Sequence, residues 1–293
     1  RHVAVDTLDG LDALRGSKYI QSRIGDTFKQ VKAALLDDRY VLFCGTPCQV
    51  DGLKKFLTKD YERLITLDLA CHGAPSNKVF KSYLDKLEKR LFAHKNGLRI
   101  SQFEFRRREG WGYAPTVIAN DGKNVPLYGI DALYMEAFNA CAIFRESCYS
   151  CKYSSLSRVG DCSIADFWGI GRHGIPFNHD VLKGVSLLMV NTEKGGRVVD
   201  DLDEVFMEQR SLEEALCENH NLKKTSPKHE KRNAIIKDFV DATIPLEEIN
   251  KRYHIVDMSL KAVMKRTASK LGLFNVAKRA YNWYRIRTQD RND

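Results

Sequence analysis

The chain has 293 residues, 43% of them hydrophobic, enough for one large α/β core or two smaller ones, which excludes a disordered chain or a small disulfide-stapled domain. Its formal charge of +9 does not describe a basic groove: from Lys261 onward nine Lys and Arg face two Asp, the rest is nearly neutral, and no nucleic acid is expected as partner. No apolar run approaches the ~20 residues of a membrane-spanning helix and no secretory leader precedes the folded pattern, so the chain reads as cytoplasmic and, opening on Arg1, as a fragment or a processed form.

Between Ile24 and Leu36, Phe28, Val31 and Leu35 recur at helical spacing behind Asp26, a capping residue type. Tyr40 to Phe43 then form a short apolar strand that ends at Cys44-Gly45-Thr46-Pro47-Cys48, after which Val50, Leu53, Phe56 and Leu57 resume the helical period. The pattern repeats. Leu64 to Leu69 reads as a strand, Cys71-His72-Gly73-Ala74-Pro75 as a loop, and Ser76 as the cap of a helix bearing Val79, Phe80, Tyr83, Leu84, Leu87 and Leu91. Two consecutive βα units predict a parallel sheet. Ligands of such sheets sit beyond the carboxyl ends of the strands, which gives Cys48 and Cys71 a common site.

After Ile100 the pattern changes. Phe103 and Phe105 alternate with polar residues, Asp121-Gly122 marks a hairpin, and Val125 to Tyr128 supply its return strand, so a β-rich insertion is expected. A short helix at Leu133 to Phe138 precedes the loop with Cys148 and Cys151, followed by strands at Cys162 to Asp166 and Val185 to Asn191. The expected fold class is α/β: parallel βα units forming the core sheet, a β-rich insertion and a helical C-terminal tail. The expected division is residues 1–210 as the main domain and 211–293 as a helical, basic extension. In its last segment Phe274, Ala277, Tyr281 and Tyr284 stand at helical spacing among Lys278, Arg279, Arg285 and Arg287. That stripe suits a helix packed on its own domain, and also peripheral contact with the anionic inner face of a membrane.

Eight cysteines in a chain without a secretory signal read as metal or redox ligands before disulfides. Cys148-Tyr149-Ser150-Cys151 is a C-x-x-C pair, able to converge two thiolates on one centre from a single turn of chain. Four thiolates complete either a zinc site or an iron-sulfur cluster, and spacing alone does not choose between them. Single ligands on separate βα loops fit a redox cluster beside an organic cofactor better than a structural zinc. Cys217 and Cys44 read as inert, Cys44 as core at the end of a strand, while Cys141 and Cys162 stay ambiguous.

Five motifs in register resemble a known family: Gly45-Thr46-Pro47-Cys48-Gln49, Cys71 to Ser76, Phe105-Arg106 with Gly110-Trp111, Ser147 to Cys151, and Asp166-Phe167-Trp168-Gly169. They look like the C-terminal domain of the coenzyme F420 hydrogenase/dehydrogenase beta subunits, and the similarity runs from Arg15 to about Gly196. The resemblance implies an oxidoreductase domain holding one 4Fe-4S cluster and FAD, exchanging electrons with a deazaflavin or another small-molecule substrate. It carries over Cys48, Cys71, Cys148 and Cys151 as cluster ligands. Many relatives also carry an N-terminal ferredoxin-like segment, absent before Arg1, so a redox partner protein or such a domain is the expected electron source.

The flavin diphosphate would meet backbone amides at Gly45-Thr46 and Gly73 to Ser76 and positive charge from Lys18 and Arg106. Arg15, Ser17, Tyr19, Gln21 and Ser22 form a polar segment suited to ribityl or phosphate contacts. His72, beside a proposed ligand, is the candidate catalytic residue, donating a proton near the flavin or hydrogen-bonding a cluster sulfur. Trp111 and Trp168 either stack on a flavin ring or fill core. A four-cysteine zinc protein and a redox-inactive assembly subunit, in a polysaccharide-synthesis or hydrogenase complex, are the alternatives.

Overall fold

The computed structural model describes residues 1–95, 97–106, 114–172, 175–181, 184–270 and 273. Trp111 and the basic stripe from Phe274 onward lie outside the described residues, as does the membrane contact expected of that stripe.

The first half alternates as the sequence predicts: α1 (Thr27–Leu36), β1 (Val41–Gly45), α2 (Pro47–Leu57), β2 (Leu64–Leu69) and α3 (Asn77–Phe92). Both βα junctions are built from capping chemistry. At α2, Thr46 and Gln49 form a reciprocal capping box with Pro47 in the first turn, and at α3 the Ser76 hydroxyl accepts from the Val79 amide at 3.3 Å. Asp26 stands at the N-cap of α1 but makes no capping bond; its carboxylate lies 3.0 Å from Lys29.

The insertion is a three-stranded antiparallel sheet of β3 (Ile100–Glu104), β4 (Thr116–Ala119) and β5 (Asn124–Pro126), turned at Asp121-Gly122. The chain continues through α4 (Leu133–Asn139) to β6 (Cys162–Asp166) and β7 (Ser186–Val190), which complete the main sheet in the order β1-β2-β6-β7. The β1, β2 and β6 strands run parallel; β7 pairs antiparallel with β6 at the edge. The class is thus α/β with a parallel-rich sheet and a separate antiparallel one.

From residue 193 on the described elements are helical: α5 (Glu193–Asp200), α6 (Leu212–Glu218), α7 (Arg232–Val240), α8 (Leu246–Tyr253) and α9 (Leu260–Lys270). In the largest core, Tyr83 and Leu87 of α3 and Leu133 and Tyr134 of α4 meet Ile235 and Phe239 of α7 and Ile249 of α8. Each such fully buried Leu, Ile or Phe contributes ~1.5–3 kcal/mol. Helices from the expected extension thereby share a core with the first 210 residues. A second core joins Val31 and Leu35 to Val50, Leu53, Leu57, Phe43 and Leu64.

Candidate metal and cofactor site

Cys48 opens α2, directly after β1. Its sulfur lies 3.1 Å from the Thr46 hydroxyl, so the residue that caps the helix also contacts the thiol. Gln49 ties this turn to the N-terminal segment by donating to the Ser22 carbonyl at 3.2 Å. The Ser22 hydroxyl meets His2 Nδ1 at 2.7 Å, and His2 Nε2 in turn meets the Cys44 carbonyl at 3.2 Å.

Cys71 follows β2. Gly73, with φ of +142°, lets the loop double back, and a Cβ there would collide with the ring of Phe144. That close approach brings two loops together: Pro75 bridges Phe144, and the Arg145 amide donates to the Ala74 carbonyl at 3.1 Å. Cys148 ends the 3-10 turn that begins at Glu146. The Gly73 amide favours the Cys71 thiolate and the Ala74 amide the Cys148 thiolate, so one turn of backbone influences both thiols.

The segment after Cys151 is fastened by Arg158. Its guanidinium donates to the carbonyls of Tyr153 (3.0 Å), Ser155 (3.3 Å) and Leu69 (2.8 Å), and pairs with Asp68 at the end of β2. Asp68 also accepts from the Gly160 amide at 2.8 Å and the Ser163 hydroxyl at 2.6 Å. Every donor and acceptor of this sealed pair therefore has a partner, which a buried charge requires.

The four thiols share one electrostatic neighbourhood. Burial pushes the Cys71 thiol up to about 12; the Gly73 amide opposes this, and Cys148, Cys48 and Cys151 push it further. Burial likewise raises the Cys148 thiol, with Cys151 and Cys48 adding and the Ala74 amide and Arg145 opposing. Among the described residues no group of three or more His, Cys, Asp or Glu is arranged to hold a metal ion. Cys48, Cys71, Cys148 and Cys151 nonetheless act on one another electrostatically. A single zinc ion needs its sulfurs within ~2.3 Å of one centre, whereas a four-iron cage takes its thiolates at separate corners. The donor set fits such a cage in kind, offering four soft ligands, with backbone amides favouring the thiolates of Cys71 and Cys148.

His72 is engaged at both ring nitrogens. Asn221 donates to the Ser226 hydroxyl at 3.0 Å, and that hydroxyl donates to the His72 carbonyl. Asn221 Oδ1 is left facing His72 Nδ1 at 2.8 Å, which places the proton on Nδ1 and turns Nε2 toward the Cys141 sulfur at 3.4 Å. Cys141 is thus buried beside the histidine, while Cys162 is buried near the Gly195 carbonyl and Cys217 is exposed. Cys44, expected in the core, is exposed instead: β1 turns Phe43 and Gly45 inward and Leu42 and Cys44 outward.

The polar N-terminal segment divides. Arg15 is exposed and pairs with Asp12 at 3.3 Å, and Lys18 donates to the carbonyls of Leu14, Arg15 and Gly16. Tyr19 packs on Phe138 and Phe105, and burial pushes its hydroxyl up while Arg106 and Ser17 oppose this. Gln21 donates its amide to the Pro75 carbonyl at 3.1 Å and accepts from Arg145 at 2.9 Å, joining the Cys71 and Cys148 loops. Arg106 forms a two-pronged pair with Asp166 at 2.7 and 2.6 Å, with its guanidinium 5.7 Å from the ring centres of both Tyr19 and Trp168. Trp168, 43% exposed, is therefore stacked on a cation rather than filling core.

Asp68, Arg158, Asn221 and Ser226 are the organising residues that sequence reading missed. Asp68 carried one usable signal, a carboxylate inside the apolar strand Leu64–Leu69; the others carried none.

An α/β domain whose parallel strands end in cysteine-bearing loops is the class these features define. The family model for the C terminus of the coenzyme F420 hydrogenase/dehydrogenase beta subunit matches residues 38–215, more than half of the chain, and the chain belongs to that family of oxidoreductase subunits. Among solved structures, it is similar to a chain of the F420-reducing NiFe hydrogenase complex from Methanosarcina barkeri, determined as a xenon derivative, at 16% identity and a TM-score of 0.35. The likeness covers 64% of this chain and 55% of that one, so this chain matches little more than half of its neighbour's length. No curated protein matches it.

Proposed function

We propose that this chain is an iron-sulfur flavoprotein oxidoreductase in which Cys48, Cys71, Cys148 and Cys151 hold a 4Fe-4S cluster and pass electrons between a redox partner protein, FAD and an organic substrate. What supports the reading is that Cys48, Cys71, Cys148 and Cys151, from three separate segments, act on one another electrostatically, with the Thr46 hydroxyl against the Cys48 sulfur and the Gly73 and Ala74 amides favouring the Cys71 and Cys148 thiolates. Such donors stabilise thiolates bound to a metal centre and tune its potential. When bound, the cluster supplies one-electron and the flavin two-electron exchange.

The chain's own residues supply orientation. Arg158 holds the Cys151 segment against the end of β2, and Gly73 admits the close approach of the Cys148 loop. His72, bonded to Asn221, holds its loop in place beside the ligand Cys71. Arg106 and Tyr19 form a polar-aromatic edge next to exposed Trp168, suited to one rim of a flavin or a deazaflavin such as coenzyme F420. Lys18, with Arg15, Ser17 and Ser22, bounds that segment on the N-terminal side.

Anaerobic purification followed by iron, sulfide, zinc and flavin analysis tests the proposal. The expected preparation is brown, with about four irons and four sulfides per chain and bound FAD. Colourless protein with one zinc and no flavin would overturn it.

A further inference from the structure

Cys48 is exposed and Cys148 and Cys151 are half-buried, so the thiol site opens on the surface, and the charges around that opening are specific. Cys48, Asp51 and Lys55 lie on one face of α2, at spacings of three and four residues. Asp51 is held by three neighbours: the Tyr153 hydroxyl, Lys55 at 2.7 Å, and Lys152 at 3.8 Å. Its single negative charge is exceeded by the two ammonium groups, whose side chains are 66% and 68% exposed.

The segment before Cys148 repeats the bias. Arg145, exposed, acts electrostatically on Cys148. Glu146, two residues before Cys148, is matched by Lys228 at the surface and Arg232 behind it. The cations thus come from α2 and the 145–152 loop, the two segments that also carry Cys48, Cys148 and Cys151, and from the approach to α7.

We infer that this face is the docking surface for an acidic one-electron carrier protein, with Lys55, Lys152, Arg145 and Lys228 as its cationic rim and the thiol site at its centre. The inference rests on the proposed cluster, because electron transfer falls steeply with distance and demands a centre near the interface. Complementary charge at the rim steers such a partner and sets its register without needing a large apolar contact.

The test uses the full chain, purified anaerobically, and a plant-type 2Fe-2S ferredoxin as the acidic probe, with binding followed by calorimetry at low ionic strength. Lys55→Glu combined with Lys152→Glu is expected to weaken binding at least about tenfold, and salt to weaken it in the parent chain. Lys251→Glu, at an exposed lysine on α8, is expected to leave binding unchanged. Absence of ferredoxin binding, or equal loss in the two variants, would overturn the docking surface. Iron and sulfide measured on the same samples separate the two ideas: a loaded chain that ignores the double variant sinks the surface alone, and a chain without iron sinks both.

Discussion

Arg158 reaches from the segment after Cys151 to the carboxylate of Asp68 at the end of β2, and the two side chains are 1% and 0% exposed. This contact locks two of the loops that carry thiols to one strand end, so the site's geometry depends on a pair that contains no thiol.

Removing one partner of a buried ion pair strands the other charge. Arg158→Met is expected to destabilise the chain by ~3–5 kcal/mol, read as a lower urea midpoint. Asp68→Asn in the same chain should restore part of the loss. A single variant within ~0.5 kcal/mol of the parent would show that the pair is dispensable.

Gly73→Ala combines an unfavourable backbone conformation with collision against Phe144, and a loss of at least ~1–3 kcal/mol is expected. Gly122 at the hairpin has φ of +84° but open space around it, so Gly122→Ala reports the backbone effect alone. Thermal unfolding of the two variants should separate them, with Gly73→Ala the lower. Equal midpoints would remove the steric argument.

Asp161 gives a pH signature. Its burial favours the neutral acid, but the Thr66 hydroxyl and amide, the Thr192 hydroxyl and Lys194 outweigh this and hold the carboxyl below its usual range. A carboxyl depressed on folding contributes stability above its unfolded value of ~3.9 and loses that contribution as pH falls through the lower folded value. Thr66→Val removes the hydroxyl and should cost ~1–3 kcal/mol at neutral pH. The gap between variant and parent should narrow as urea midpoints are taken below about pH 4. A gap independent of pH would contradict the assignment.

Much of the fold was legible because its signals are local. The capping residues Thr46 and Ser76 and the apolar runs at Val41–Gly45 and Leu64–Leu69 announce two βα units, and Asp121-Gly122 announces the hairpin. Partner-dependent features were not legible. Lys18 and Arg106 read as cations available to a diphosphate, but Lys18 caps three carbonyls and Arg106 is matched by Asp166, sixty residues on. Cys44 read as core because the strand is apolar, yet alternation along an edge strand turns its side chain outward. His72 stood in a legible motif, while its partners Asn221 and Ser226 come from the C-terminal helical region, which no pattern links to the Cys71 loop.

Electron paramagnetic resonance of the anaerobically reduced chain, with Cys71→Ala beside Cys217→Ala, tests the gathered-thiol site most directly. The account predicts the signal of a reduced 4Fe-4S cluster in the parent and in Cys217→Ala, and its loss in Cys71→Ala. A parent chain without that signal, or a signal undiminished in Cys71→Ala, would contradict it.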